Sequence, residues 1–178
     1  MALNANSLKD LIKTNLANID PITAQSAMQE LATTLSTYIK VNAQVTFVWA
    51  ATLPNPPYTP DPIVVTVGNV ITLEFALTPS GLTDSTAAQD YLKNQLIAGL
   101  TEGTINVVTS GFITTPITFA TSPSLNSLDL IISGSNPDDA QLDFATKIVD
   151  WVKLQKPSAP CTGSHLPYIG TGIVSSII

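Results

Sequence analysis

Arginine is missing from this chain, and its seven lysines face thirteen acidic residues, for a formal charge of −6. Nucleic-acid binding begins with cationic neutralisation of phosphates, and arginine is the main reader of base edges, so groove recognition is argued against. Any contact with DNA would be non-adhesive, such as the lining of a passage. Charge of either sign is scarce: 11% of the 178 residues are Asp, Glu, Lys or Arg, against about 25% in an ordinary soluble domain. With 44% apolar residues and a mean hydropathy of +0.29, neutral surface must be rich in Ser, Thr and Asn or hidden against other protein. A single cysteine, Cys161, leaves no internal disulfide. Residues 1–10 lack a basic-then-apolar leader, and about 18 uncharged apolar residues never run together. The expectation is a chain made and kept in a cytosol, with no membrane partner.

What is present reads as alternating helical and extended segments. Asn6 or Ser7 can cap a first helix whose apolar stripe is Leu8, Leu11, Ile12, Leu16 and Ile19. Asp20-Pro21 is a cap followed by a first-turn proline, opening a second helix through Ala24, Ala27, Met28, Leu31, Leu35, Tyr38 and Ile39. This helical hairpin either covers a sheet or packs against a neighbouring subunit. From residue 43 the period becomes two, with Val45, Phe47 and Trp49 on one side. Residues 53–62 hold five prolines and read as a stiff loop. Residues 63–77 are the clearest hairpin signal, two Val- and Ile-rich runs about Gly68-Asn69. Ala88, Tyr91, Leu92, Gln95, Leu96 and Leu100 form the stripe of a third helix. Strands are expected at 104–109, 112–120 with a break at Pro116, and 128–133. Asn136-Pro137 opens a fourth helix, with Phe144, Ile148, Trp151 and Val152 on its apolar face.

No constellation nominates a catalytic, cofactor-binding or metal-ligating residue. Cys161 and His165 stand four apart, but no other Cys or His completes a zinc site. Gly170-Thr171-Gly172 resembles part of a phosphate loop without its lysine or third glycine. Glu74 with Asp61 or Glu102 could form a carboxylate pair, and Asp138-Asp139 near Asp143 could attract calcium, but helix starts favour acids without metal. Apolar residues return in the closing segment at Ile173, Val174, Ile177 and Ile178, with Tyr168 nearby. Left free, such an end is an aggregation hazard, so these five residues are the candidates for docking on a partner.

Residues 8–45 resemble the N-termini of small virion structural proteins of tailed bacteriophages. The resemblance lies in Leu8, Lys9, Ile12 and Lys13, then in Ala27, Leu31, Ala32, Tyr38 and Ile39, followed by a Thr/Val/Gly-rich region. It implies a non-enzymatic virion subunit, assembled in a host cytoplasm into a homo-oligomeric ring or lattice. Its partners would be copies of itself and other virion proteins. A head-to-tail connector, neck or tail-completion role ranks ahead of capsid decoration. The competing class is a monomeric carbohydrate- or peptide-binding module using Trp49 and Tyr58. The expected fold is α+β, a mixed or mainly antiparallel sheet of about five strands with helices packed on one face. Its parts would be an N-terminal helical hairpin (1–42), an α+β core (43–156) and an extended C-terminal arm (157–178), as one folding unit.

Overall fold

The computed structural model describes residues 2–20, 23–52, 63–68, 90, 92–94, 96–97, 104–105, 112–114, 117–118, 128–155, 161–165 and 168–177. In the strands this description is of the backbone, Ile177 apart.

Helix α1 (Ala5–Ala17) is capped by Asn4, whose side chain accepts from the Ser7 amide at 3.1 Å. Leu3, just before the cap, and Leu8, at the fourth helical position, are both buried in one cluster, the arrangement of a hydrophobic staple. Helix α2 (Ala24–Asn42) starts from a reciprocal capping box between Thr23 and Ser26. The cap is therefore Thr23 and not Asp20, because the Thr23 and Ser26 side chains satisfy each other's free amides. Helix α3 (Pro137–Leu154) uses Asn136 as its cap and Pro137 in its first turn. Asp138 and Asp139 at its start and Lys153 at its end suit the helix dipole.

These helices pack on one another, with α1 touching both α2 and α3. Leu8 and Ile12 from α1, Leu35, Tyr38 and Ile39 from α2, and Phe144, Ile148 and Trp151 from α3 belong to one buried cluster. Leu92 and Leu96, one helical turn apart, add to it. Helical spacing thus puts each apolar stripe where a neighbouring helix can cover it.

The backbone of strands β1 (Gln44–Thr52), β2 (Ile63–Gly68), β4 (Phe112–Thr114), β6 (Cys161–His165) and β7 (Tyr168–Ile177) pairs in the order β2-β1-β7-β6-β4. A separate pair joins β3 (Thr104–Ile105) to β5 (Ile117–Thr118). β7 lies between β1 and β6, opposite Val45 at Ile177 and opposite His165 at Tyr168. Ile177 reaches the helical cluster at 2% exposure and ties the strands to it.

Three expectations are corrected here. An α+β domain organised by a five-stranded sheet, with helices as cover on one face, does not describe the core. Of the residues whose side chains are described, 74% are helical, and what they bury is chiefly helix against helix. The reason is composition: the long aliphatic and aromatic positions at helical spacing lie on α1, α2 and α3, so these elements bury one another. The second correction concerns the extended arm at 157–178, where residues 161–165 and 168–177 form paired strands. Thirdly, the run 128–133 has no strand ladder. The Asp129 side chain accepts from the Ile131 amide at 2.9 Å, Asp143 accepts from the Ser133 amide at 2.8 Å, and Lys147 donates to the Ile131 carbonyl. Side chains thus occupy backbone groups that a ladder would need. The hairpin expected over 63–77 is described only in its first half, where β2 pairs antiparallel with β1, and residues 69–77 lie outside the described residues.

The burial of Ile177 generates a direct check. Ile177→Ala should lower unfolding stability by about 2–4 kcal/mol in urea denaturation, as expected for a large residue removed from a packed core. A residue serving only as an external latch would leave the unfolding midpoint of the separated chain unchanged.

Candidate functional site: a pinned isoleucine pair beside an apolar cleft

Between Leu130 and the start of α3 the chain makes a short loop that is held unusually firmly. The Asp143 carboxylate accepts from the Ser133 amide and hydroxyl and from Lys147 at 2.8 Å. Lys147, one turn further along α3, also donates to the Ile131 carbonyl. At the other end of the loop, Ser135 and Asn136 both donate to Asp139. Gly134 lets the loop lie against the first turn of α3. A Cβ built there would stand 2.4 Å from the Ala140 nitrogen and 2.7 Å from its Cα, closer than real contacts allow.

This scaffold holds two large apolar side chains in solvent, Ile131 at 72% and Ile132 at 40% exposure. Ile132 also lines an apolar cleft of about 240 Å³ between α1, α2 and α3, walled by Ile12, Leu16, Leu31, Ala140 and Phe144. Gln141 completes the wall, and its buried Oε1 has no hydrogen-bond partner among the described residues. Beside it, Lys13 on α1 reaches Asp138 on α3 at 2.8 Å, both side chains more than half exposed. The lysine contact holds the Asp138 carboxyl below its ordinary value and raises Lys13. Asp143 is likewise lowered, first by Lys147 and then by the Ser133 amide.

A larger cleft of about 380 Å³ lies where α1 ends and α2 begins. Amides and hydroxyls of Asn15, Asn18, Gln29 and Thr33 line it together with one carboxylate, Glu30. Among the described lining residues, Glu30 supplies the one carboxylate and no histidine or cysteine is present.

The residues singled out in the sequence are dispersed. Tyr168, Ile173 and Val174 are on β7, opposite His165, Val48 and Phe47 respectively. Ile177 is in the core, and Ile178 lies outside the described residues. Of the five residues expected to dock on a partner, Ile177 is buried in the chain's own core, while for Tyr168, Ile173 and Val174 the description covers the backbone ladder alone. Cys161 and His165 sit at opposite ends of β6, and four residues of strand separate Cα atoms by about 13 Å. They cannot share a metal ion or a proton at that separation. Gly170, Thr171 and Gly172 lie within the ladders to β1 and β6 rather than in a phosphate-binding loop. Asp138, Asp139 and Asp143 each engage different partners, Lys13, the Ser135–Asn136 pair and Lys147. Among the described residues no group of three His, Cys, Asp or Glu side chains is placed to hold a metal ion. Trp49 is on β1, opposite Ile63 and Gly172, while Tyr58, Asp61, Glu74 and Glu102 lie outside the described residues. Sequence reasoning missed the isoleucine pair, because Leu128-Asp129-Leu130 has the alternation of a half-buried strand. The available signal was Ser-Gly-Ser-Asn after two adjacent isoleucines, a turn that fixes them in place.

No described helix is long and apolar enough to cross a membrane. No family model matches the chain, and no curated protein or solved structure matches it.

Two outcomes follow for the loop. Gly134→Ala should destabilise the fold by about 1–3 kcal/mol, read from the urea midpoint, since the backbone it meets has no flexible end to give way. Asp143 has a depressed folded-state pKa, so its contribution is complete above the ordinary carboxylate range and disappears as pH falls through the folded value. The stability gap between the wild type and Asp143→Asn should therefore be widest at neutral pH and narrow below about pH 4.

Proposed function

We propose that this chain is a non-enzymatic structural subunit of a tailed-bacteriophage virion, acting in a homo-oligomeric ring or lattice. A connector, neck or tail-completion place ranks ahead of capsid decoration. The observation that carries the reading is the Ile131–Ile132 pair. A chain with so little charge uses ionic groups to fix two exposed isoleucines on a braced loop, where disorder would have been the easier solution. Braced apolar surface beside an apolar cleft is what a protein–protein contact uses.

The resemblance over residues 8–45 adds to the reading through packing rather than chemistry. Leu8, Ile12, Ala32, Tyr38 and Ile39 are all buried, so the shared pattern specifies how α1 meets α2. The work of such a subunit is shape, and its acidic balance suits a passage through which DNA slides without adhering. The 131–132 loop is the association surface this reading rests on, while Ile177 is buried within its own chain.

Light scattering coupled to size exclusion, over a concentration series of the full chain, tests this. Masses at multiples of 18.7 kDa are the expected outcome. A constant single-chain mass at all concentrations, with no co-assembly on addition of virion proteins from the same genome, would overturn it.

A further inference from the structure

We infer that the Ile131–Ile132 loop and the cleft beside it form a two-fold contact between two copies of this chain, Ile131 of each entering the cleft of the other. This rests on the assembly reading above and names its surface.

Shape is the first argument. Across a two-fold axis the same patch meets itself, so a patch must carry both a projection and a recess to be self-complementary. Four large hydrophobic residues are substantially exposed among those described, Val41, Ile131, Ile132 and Leu154. Of these, Ile132 lines the apolar cleft, and its neighbour Ile131 is the most exposed. Projection and recess therefore adjoin in sequence and in space. The cleft, at about 240 Å³, is large enough for a branched aliphatic side chain and small for anything much larger.

Charge is the second. Among the described residues no charged side chain lines the cleft, which suits an uncharged occupant. Beside it Lys13 and Asp138 form a dipole of two exposed, opposite charges. A two-fold axis lying across that dipole sets two such pairs antiparallel, with the Lys13 of one copy facing the Asp138 of the other. Two copies that each carry net negative charge are thereby offered an attractive patch. An isologous contact closes at two copies. In a larger assembly it would join rings or lattice units to one another rather than neighbours around one ring.

Sedimentation velocity on the full chain tests this with two variants, Ile131→Asp and Leu154→Asp. Both introduce one carboxylate at a highly exposed isoleucine or leucine, so both should stay folded, with a small drop in the unfolding midpoint for Leu154→Asp because its carboxylate meets the C-terminal end of the α3 dipole; the midpoint is measured alongside. Ile131→Asp should weaken self-association by roughly 100-fold or more, because each of two clefts would have to accept a carboxylate. Leu154→Asp should leave association within about twofold of the wild type. Equal loss in both variants, or no loss in Ile131→Asp while the wild type associates, would overturn this surface and leave the assembly reading standing. A wild type that stays a single chain at every concentration would overturn this surface, and would overturn the assembly reading as well if it also failed to co-assemble with other virion proteins.

Discussion

One side chain fixes how the helical core begins. The Tyr38 hydroxyl accepts from the Asn4 amide and donates to the Asn4 carbonyl, each at 2.8 Å. Asn4 is the cap of α1, and α1 is the helix in contact with both α2 and α3. The phenol therefore sets the height of α1 along α2, and that height decides which residues of α1 face α3. At the other end of the same interface Asn15 donates to Thr34, itself 2% exposed, at 2.8 Å. Apolar stripes alone permit sliding by a turn, whereas two polar links at opposite ends do not, because a shifted register would leave buried polar groups without partners.

The same economy governs the charged residues. An ordinary protein scatters ions over its surface, but here several gather where α3 begins, and each has a structural partner. Asp139 is held with Ser135 and Asn136, Asp143 with Ser133 and Lys147, and Asp138 with Lys13. Surface ion pairs contribute little to stability one at a time. Their consequence here is geometric, since together they define the path of a loop that lacks a ladder. The apolar residues on that loop then gain a fixed orientation, and the entropy that a partner would otherwise have to remove has already been lost in folding.

Several elements could be read from residues alone and others could not, and the difference is physical. Asn136-Pro137 announces α3 because a cap and a first-turn proline act locally, within a few residues of each other. The buried faces of α1 and α3 follow from 3.6-residue spacing for the same reason. The position of β7 did not follow, because Gly170, Gly172 and Pro167 weaken any local strand signal and the ladder comes from β1, most of the chain away. The run 128–133 misled in the opposite direction, its alternation being real while its backbone partners are side chains. The candidate site was missed because exposure of an isoleucine is a property of its surroundings, invisible in periodicity. A sheet-centred α+β core was read from the strongest β signal, but a strong local signal does not say which layer holds the interior.

The placement of β7 between β1 and β6 has a kinetic consequence. Val45 and Ile177 must meet across most of the sequence, a closure of high contact order that slows the search for the native topology. Until that closure is made, β1 carries an unpaired edge while the α1–α2 pair can already be in place. The vulnerable species during synthesis is thus a chain with its first helices settled and a valine- and phenylalanine-bearing strand awaiting its neighbour, the kind of edge on which chaperones and aggregation compete.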